Sequence, residues 1–428
     1  MENLYGRLIT EIEFTRYYPA PTSLDTASLV KINGMTLQGP HAVCNRCGTA
    51  SLLSDVKLEL PGVYFCPECL PLGRVRSDEF LYHLPQQDFP KQEPLIWQGR
   101  LTPYQSEISS ELVRAVREKS QILVHAVTGA GKTEMIYAAV ASTIAAGGAV
   151  GIATPRTDVA RELFTRLSKD FSLDISLLHA DSEPYFATPL VISTTHQLLR
   201  FREAFDLLII DEVDAFPFAD NDALYFAAEH ARKPVSTLIY LTATSTDKLD
   251  FLIQTGTLKK RELARRFHGN PLVVPKSIYD SRDKKLILHI KKQRKTGFPL
   301  LIFAPVISLG QSFSENLARL FPDEKIGFVA STAENRADII DQFRKGSLTI
   351  LVSTTILERG VTFPKVDVFV QNSHHKLFTK SSLIQIAGRA GRSPERPTGL
   401  VYFFHDGLTR QMTRAISEIR HMNQLGGF

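Results

Sequence analysis

The sequence predicts an α/β protein built on parallel sheets, with a small four-cysteine module in front of them. Three observations carry that expectation. From residue 121 onward, short apolar runs alternate at even intervals with helix-forming stretches. One such run, Gln121-Ile-Leu-Val-His125, leads into the glycine-rich segment Ala126-Val-Thr-Gly-Ala-Gly-Lys-Thr-Glu134 and then into a helix former, Met135 to Ala141. All four cysteines fall in two C-x2-C pairs, Cys44/Cys47 and Cys66/Cys69. The strand runs are continuously apolar rather than alternating, which marks strands buried on both faces and hence parallel sheets covered by helices.

Length and composition set the frame. A chain of 428 residues predicts two or three domains, and 43% hydrophobic with 22% charged residues is an ordinary globular balance. The formal net charge of +5 suits a polyanionic partner without specifying one. The opening Met-Glu-Asn-Leu-Tyr has neither a basic region nor an apolar run behind it, so no secretory leader is expected. The most membrane-like stretch, Tyr137 to Ala153, is interrupted by Gly147-Gly148 and is expected as a buried helix, a turn and a strand.

Residues 1–40 form an N-terminal segment with little legible chemistry; Leu8 to Phe14 alternates like a strand and Pro19 to Asp25 reads as loop. Residues 41–75 hold the cysteines. Two C-x2-C knuckles eighteen residues apart can place four thiolates around one Zn²⁺. Two disulfides or a redox pair are the alternatives. Between the knuckles, Val56 to Leu60 and Val63 to Phe65 predict a small hairpin. So short a module buries little core, so the metal would supply its folding energy, on the order of 10–16 kcal/mol in small zinc peptides. Its core is expected to be separate from the rest. Residues 76–96, polar and proline-containing, read as a linker.

Trp97 to Gln105 then leads into a helix expected over Ser106 to Ser120. The Gln105 amide can read an adenine edge, donating and accepting at once, or it can cap that helix. In the glycine-rich loop, Thr128, Gly129, Ala130 and Gly131 let successive N–H groups curl around a phosphate, helped by the helix N-terminus. Lys132 is placed to reach the β/γ-phosphates of ATP and Thr133 to hold Mg²⁺. The loop departs from the general pattern at Ala126, where glycine is usual.

Each later strand delivers a polar cluster at its C-terminal end, where open α/β sheets bind ligands. The clusters are Thr154-Pro-Arg156-Thr, Thr194-Thr195-His-Gln, Asp211-Glu212-Val-Asp214 and Thr242-Ala-Thr244. Asp211 would sit in the Mg²⁺ coordination shell, and Glu212 would orient and deprotonate the attacking water. A second block of strands and helices starts near Ile278. Its basic run Lys284 to Lys295 is either a nucleic-acid contact or a solvated helix face. It carries Ser353-Thr354-Thr355 through Gly360, and then Gln385-Ile-Ala-Gly-Arg389-Ala-Gly-Arg392, whose two arginines are expected on one helix face as fingers for a γ-phosphate.

This set and order of motifs, over roughly residues 97 to 428, resembles the superfamily 2 helicases and translocases. The resemblance implies two RecA-like domains, at 97–270 and 271–428, with ATP in the cleft and a nucleic-acid strand lying across both. It implies ATP contacts for Gln105, the phosphate loop and Gly360, catalytic roles for Lys132, Asp211, Glu212, Arg389 and Arg392, and a coupling role for Asp214, Thr242, Thr244 and Gln385. It implies strand contacts for Thr154, Arg156, Thr194, Thr195, Ser353, Thr354 and Thr355. Thr362 stands where the fifth motif often carries an acidic residue. The cysteines in front of the core resemble the ComFA family of late-competence DNA-uptake ATPases. The phosphate loop is also similar to that of the primosomal helicase PriA, whose cysteines lie inside its second helicase domain. The ComFA resemblance implies a cytoplasmic motor at the inner face of the membrane, working on single-stranded DNA with ComFC, DprA and the uptake channel as partners. A PriA-like helicase and a scaffold with a vestigial ATPase are the alternatives, and no residue pattern distinguishes DNA from RNA.

Overall fold

The computed structural model describes residues 2–17, 29–333 and 335–428. The loop expected over Pro19 to Asp25 lies outside them. By contacts the chain divides into two units, one of residues 1–125 with 132–261 and the other of residues 126–131 with 262–428.

The first unit begins with β1 (Leu8–Thr10) and α1 (Glu11–Tyr17). The strand expected through Phe14 therefore stops at Thr10. The reason is a capping box: the Glu13 N–H donates to the Thr10 hydroxyl and the Glu13 carboxylate accepts from the Thr10 N–H, at 3.3 and 2.9 Å. Next come β2 (Val30–Asn33), β3 (Met35–Gln38), β4 (His41–Cys44), β5 (Ala50–Leu52) and β6 (Phe80–His83). The strands pair as two small antiparallel sheets, β1-β6-β2 and β3-β4-β5. β6 lies in the stretch expected as a linker, yet it is the middle strand of its sheet and Leu81, Tyr82 and His83 are buried. Residues 80–83 alternate no charge with their apolar side chains, and that run outweighs the polar, proline-containing flanks.

The large sheet of this unit is built from β7 (Gln121–Ala126), β8 (Val150–Thr154), β9 (Ile175–Leu178), β10 (Leu190–Thr194), β11 (Phe205–Asp211), β12 (Arg232–Thr242) and β13 (Lys259–Leu263). Its order is β13-β7-β12-β11-β8-β10-β9, and the pairs from β7 to β9 are parallel. Its helices are α2 (Pro103–Glu118), α3 (Lys132–Ala145), α4 (Thr157–Asp170), α5 (Asp222–Ala231) and α6 (Asp247–Gln254). Tyr137 to Ala153 is helix, turn and strand, and among the described residues no helix is long and apolar enough to cross a membrane.

The second unit's sheet runs β14 (Lys276–Tyr279), β19 (Val401–His405), β18 (Asp367–Val370), β15 (Leu300–Phe303), β17 (Ile350–Ser353) and β16 (Ile326–Val329), all parallel. Its helices are α7 (Lys284–Arg294), α8 (Ile307–Leu320), α9 (Arg336–Arg344), α10 (Lys380–Ala387) and α11 (Arg410–Leu425). Both units are RecA-like parallel α/β domains, as the apolar strand runs predict.

The four-cysteine module does not have a core of its own. The cysteines, Met35 and Val56 belong to one buried cluster with Leu199, Phe201, Leu208, Ile210 and Phe218 of the first unit. Gly48, at φ +76, lets the first knuckle close on α5, where a Cβ would meet the Phe226 ring at 2.4 Å. The expectation of two separate cores is corrected: the module borrows the flank of the large sheet because it cannot bury enough surface alone.

Candidate ATPase and metal sites

Parallel register brings the polar ends of the first unit's strands to one edge. Thr154 pairs with Thr194, Asp211 with Leu241, and Thr242 with His125. Asp211 ends β11 and Lys132 opens α3, and the Lys132 ammonium lies 3.8 Å from the Asp211 carboxylate. In this conformation the two charges pair with each other; a metal-bound phosphate would have to part them, taking the ammonium as its counter-ion and leaving the carboxylate to the metal's coordination shell. Glu212 donates its backbone N–H to Asp211 Oδ1 at 2.9 Å and adopts φ +55, a left-handed conformation that a glutamate rarely takes. Strain held at such a position is a mark of functional geometry.

Asp214 joins two points of the next strand end. Its Oδ1 accepts from the Thr242 hydroxyl at 2.9 Å and its Oδ2 from the Thr244 hydroxyl at 2.6 Å. All three are buried, so removing either partner would leave a polar group unsatisfied away from water. Acidic box and Thr-Ala-Thr segment thus share one rigid connection.

Gln105 closes a capping box at the start of α2, its N–H donating to Thr102 Oγ1 at 3.3 Å and its Oε1 accepting from the Thr102 N–H at 2.9 Å. The capping alternative is what the structure realises, and it starts the helix at Pro103 rather than Ser106. The candidate strand contacts are also modified. Thr154, Thr195 and Ser353 are fully buried, and the hydroxyls of Thr154 and Thr195 meet no partner among the described residues. Arg156 and Thr355 are partly exposed. Any contact of these clusters with a phosphate backbone in this conformation therefore falls to the exposed side chains and the main chain.

The second unit holds the phosphate-loop backbone, residues 126–131, and the late motifs. Gly129 and Gly131 have φ of +79 and +74, the turns a phosphate cradle needs. A Cβ on Gly388 would meet Thr128 Oγ1 at 2.1 Å, so only glycine fits there. Gln385 is buried in α10, but the helix ends at Ala387. Arg389 and Arg392 therefore lie in the turn beyond it, not on one helix face: Gly388 caps the helix, and Gly391 at φ +67 carries the chain out of helical conformation between them. Arg389 Nε donates to the Glu358 carbonyl at 3.0 Å, and Arg392 Nε to the Gly388 carbonyl at 2.9 Å. Thr362 takes the far end of Arg392 at 3.4 Å. Gly360 turns at φ +74 two residues after Glu358, whose carboxylate accepts from the Ser382 hydroxyl.

Sequence reasoning missed two arginines. Arg166 of α4 donates to the Thr133 hydroxyl at 3.2 Å and pairs with Glu134. Arg266 is 3% exposed and donates to the carbonyls of Ala390 and Gly391. Its Nε and other terminal nitrogen meet no acceptor among the described residues. Burial and, secondarily, the Arg392 charge lower its pKa to about 9. Neither arginine sits in a recognisable motif, so no local signal could have found them.

The cysteine sulfurs all lie within 4.8 Å of one another, with Cys44–Cys69 at 3.8 Å and Cys47–Cys66 at 3.4 Å. A tetrahedron of thiolates about 2.3 Å from Zn²⁺ has edges of roughly 3.8 Å. The set fits that ion, and the thiols are free, so the disulfide alternative is not formed. These four residues would hold the metal, whose part is structural.

A phosphate loop, an acid pair at a strand end and a second RecA-like domain with paired arginines define a superfamily 2 helicase-like ATPase. Residues 102–252 match the DEAD/DEAH box helicase family and residues 282–394 the helicase conserved C-terminal domain. The chain belongs to the ComFA family. It is 54% identical over 432 residues to Competence protein ComFA of Streptococcus pneumoniae strain R6, covering 99% of this chain and 98% of that protein. It is 38% identical over 411 residues to the Bacillus subtilis strain 168 protein of the same name, covering 92% and 88%. Among solved structures, the DEAD-box helicase Mss116 bound to ssRNA and UDP-BeF superposes with a TM-score of 0.57 at 18% identity, over 74% of this chain and 77% of that one. S. cerevisiae Dbp5 bound to RNA and ADP BeF3 does so at 0.55 and 16%, over 75% and 91%. At these identities the likeness is one of fold.

Proposed function

We propose that the chain is an ATP-driven single-stranded DNA translocase that powers uptake of transforming DNA. The observation that carries this reading is Asp214, which ties the acidic box to Thr242 and Thr244 by two short bonds. A vestigial ATPase has no use for that link, whereas a motor needs hydrolysis joined to movement. In this reading Lys132 and the loop N–H groups hold the β/γ-phosphates, Thr133 and Asp211 serve Mg²⁺, and Glu212 takes the proton of the attacking water. Arg389 and Arg392 stabilise charge on the transferring phosphoryl group. Gly360 lines the nucleotide, and Gln385 relays its state. Nucleic acid is held through phosphates, so binding is indifferent to base sequence and weakens with salt by a log–log slope of about −0.7 per phosphate neutralised. The protein works at the inner face of the cell membrane with ComFC, DprA and the channel, and the cysteines carry Zn²⁺.

The test is ATP hydrolysis with single-stranded DNA, duplex DNA and RNA as separate activators. Stimulation by single-stranded DNA above the others supports the translocase. Stimulation by duplex or forked DNA points to a strand-separating enzyme instead, and no stimulation by any of them contradicts the motor.

A further inference from the structure

Arg46 lies inside the first knuckle, between Cys44 and Cys47, and is 1% exposed. A buried guanidinium persists only where acceptors and a counter-charge surround it. Its acceptors come from the C-terminal end of the metal module and from the large domain. Nε donates to the Leu199 carbonyl at 3.3 Å, and the terminal nitrogens to the Gly73 and Leu72 carbonyls at 3.4 Å each. The counter-charge is Glu13 at 4.0 Å. Glu13 also accepts from Arg200 Nε at 2.9 Å. Arg200 directs its other nitrogens to Gln197 Oε1 at 2.9 Å and the Leu72 carbonyl at 3.1 Å. Burial opposes the charge on Glu13, but Arg46, Arg200 and the Thr10 N–H outweigh it and hold its pKa below the usual value.

Gln197, Leu199 and Arg200 all belong to one 3-10 helix, Thr195–Arg200, which opens at the Thr194-Thr-His-Gln cluster. Six residues of 3-10 helix have little stability of their own, so what they are tied to sets their position. Here the tie runs to the backbone between two metal-ligating cysteines. We propose that Arg46 is a positioning residue through which metal occupancy of the four-cysteine site fixes the helix Thr195–Arg200, and with it the grip on a single strand. The inference rests on the reading of Thr194–Gln197 as a strand contact. The chemistry is specific to arginine: its planar fork reaches carbonyls on both sides of the joint, whereas a lysine offers one point donor.

The experiment uses the full chain, zinc-loaded or chelator-treated, as wild type, Arg46→Lys and Glu13→Gln, below the unfolding transition. Amide hydrogen exchange is read at residues 195–201, with β11 as internal reference, and affinity is read with a fluorescent oligothymidine at fixed salt. In wild type, chelation raises exchange at 195–201 relative to β11 and weakens oligothymidine binding roughly tenfold, an ordinary coupling between sites. Zinc-loaded Arg46→Lys shows the same two changes, and chelation then adds little. Glu13→Gln keeps the side-chain shape and moves both readouts the same way by less, which covers the case in which Arg46→Lys does not fold. Wild-type exchange and affinity in both zinc-loaded variants overturn the proposal. So do fully additive effects of chelation and substitution, and so does an equal rise of exchange in β11. If wild type binds no strand, the translocase reading falls, and the exchange measurement alone decides the role of Arg46.

Discussion

Two charged side chains in the first unit join distant parts of the chain, and they do so differently. Asp214, just beyond the end of β11, reaches 28 and 30 residues along the chain by short bonds to the hydroxyls of Thr242, at the end of β12, and of Thr244 just past it. Arg46 connects the metal module to Leu199, 153 residues away, by longer bonds to main-chain carbonyls. The first joint lies among residues whose spacing is itself a motif. The second joins pieces that no local pattern relates. The first is therefore expected to register in turnover and coupling, and the second in stability and metal dependence.

The largest effect expected is from Cys44→Ala. Structural zinc binding is worth on the order of 10–16 kcal/mol in isolated peptides, and here the cysteines share a core with the domain. Thermal denaturation should show the whole first unit melting earlier as one transition. Loss of residues 41–75 alone, with the domain melting unchanged, would break the comparison by restoring two independent cores.

Next in size are the chemical residues beside Asp214. Lys132→Ala removes the cation that meets the phosphates and Glu212→Gln the base, each costing on the order of 3–4 kcal/mol in the barrier, or roughly 10²–10³ in hydrolysis rate. Nucleotide binding should survive Glu212→Gln, and zinc content and melting temperature should hold in both variants. Normal hydrolysis by Glu212→Gln would show that another group activates the water.

Asp214→Asn sharpens the contrast further. Replacing one carboxylate oxygen by an amide nitrogen leaves one of the two buried threonine hydroxyls without its acceptor, at a cost of about 1–3 kcal/mol, with stimulation of hydrolysis by nucleic acid reduced and metal content unchanged. Zinc loss from this variant would mean that the two joints are one network.

The smallest effect concerns acid. The folded-state pKa of Glu13 is held below its ordinary value of 4.5, so its contribution is complete at pH values above that and is lost as pH falls through the depressed folded-state value. The stability difference between wild type and Glu13→Gln should be constant at neutral pH and shrink on acidification. A difference that grows toward low pH would show that Glu13 is not ionised in the folded state.

The parts legible in the sequence were those fixed by neighbours along the chain. Continuous apolar runs gave the strands, the glycines and Lys132 the phosphate loop, and the C-x2-C spacing the metal set. What escaped depends on partners far away. β6 is a strand because β1 and β2 flank it, and Arg46, Arg166 and Arg266 matter through what they touch at distances of many tens of residues. The Arg389–Arg392 turn escaped for a local reason: the three-residue spacing of the arginines suits a helix face, but the helix ends at Ala387 and the chain turns at Gly391 between them. The Thr10–Glu13 capping box was also present in the sequence, where alternation hid it.

The central claim, that hydrolysis and strand grip are coupled, is tested most directly by single-stranded DNA affinity with and without a non-hydrolysable ATP analogue, in wild type and in Arg392→Ala. The account predicts that the analogue changes wild-type affinity, that DNA changes analogue affinity by the same factor, and that Arg392→Ala abolishes both. Equal affinities in all four conditions, with hydrolysis indifferent to DNA, would contradict it and leave a nucleic-acid-binding scaffold.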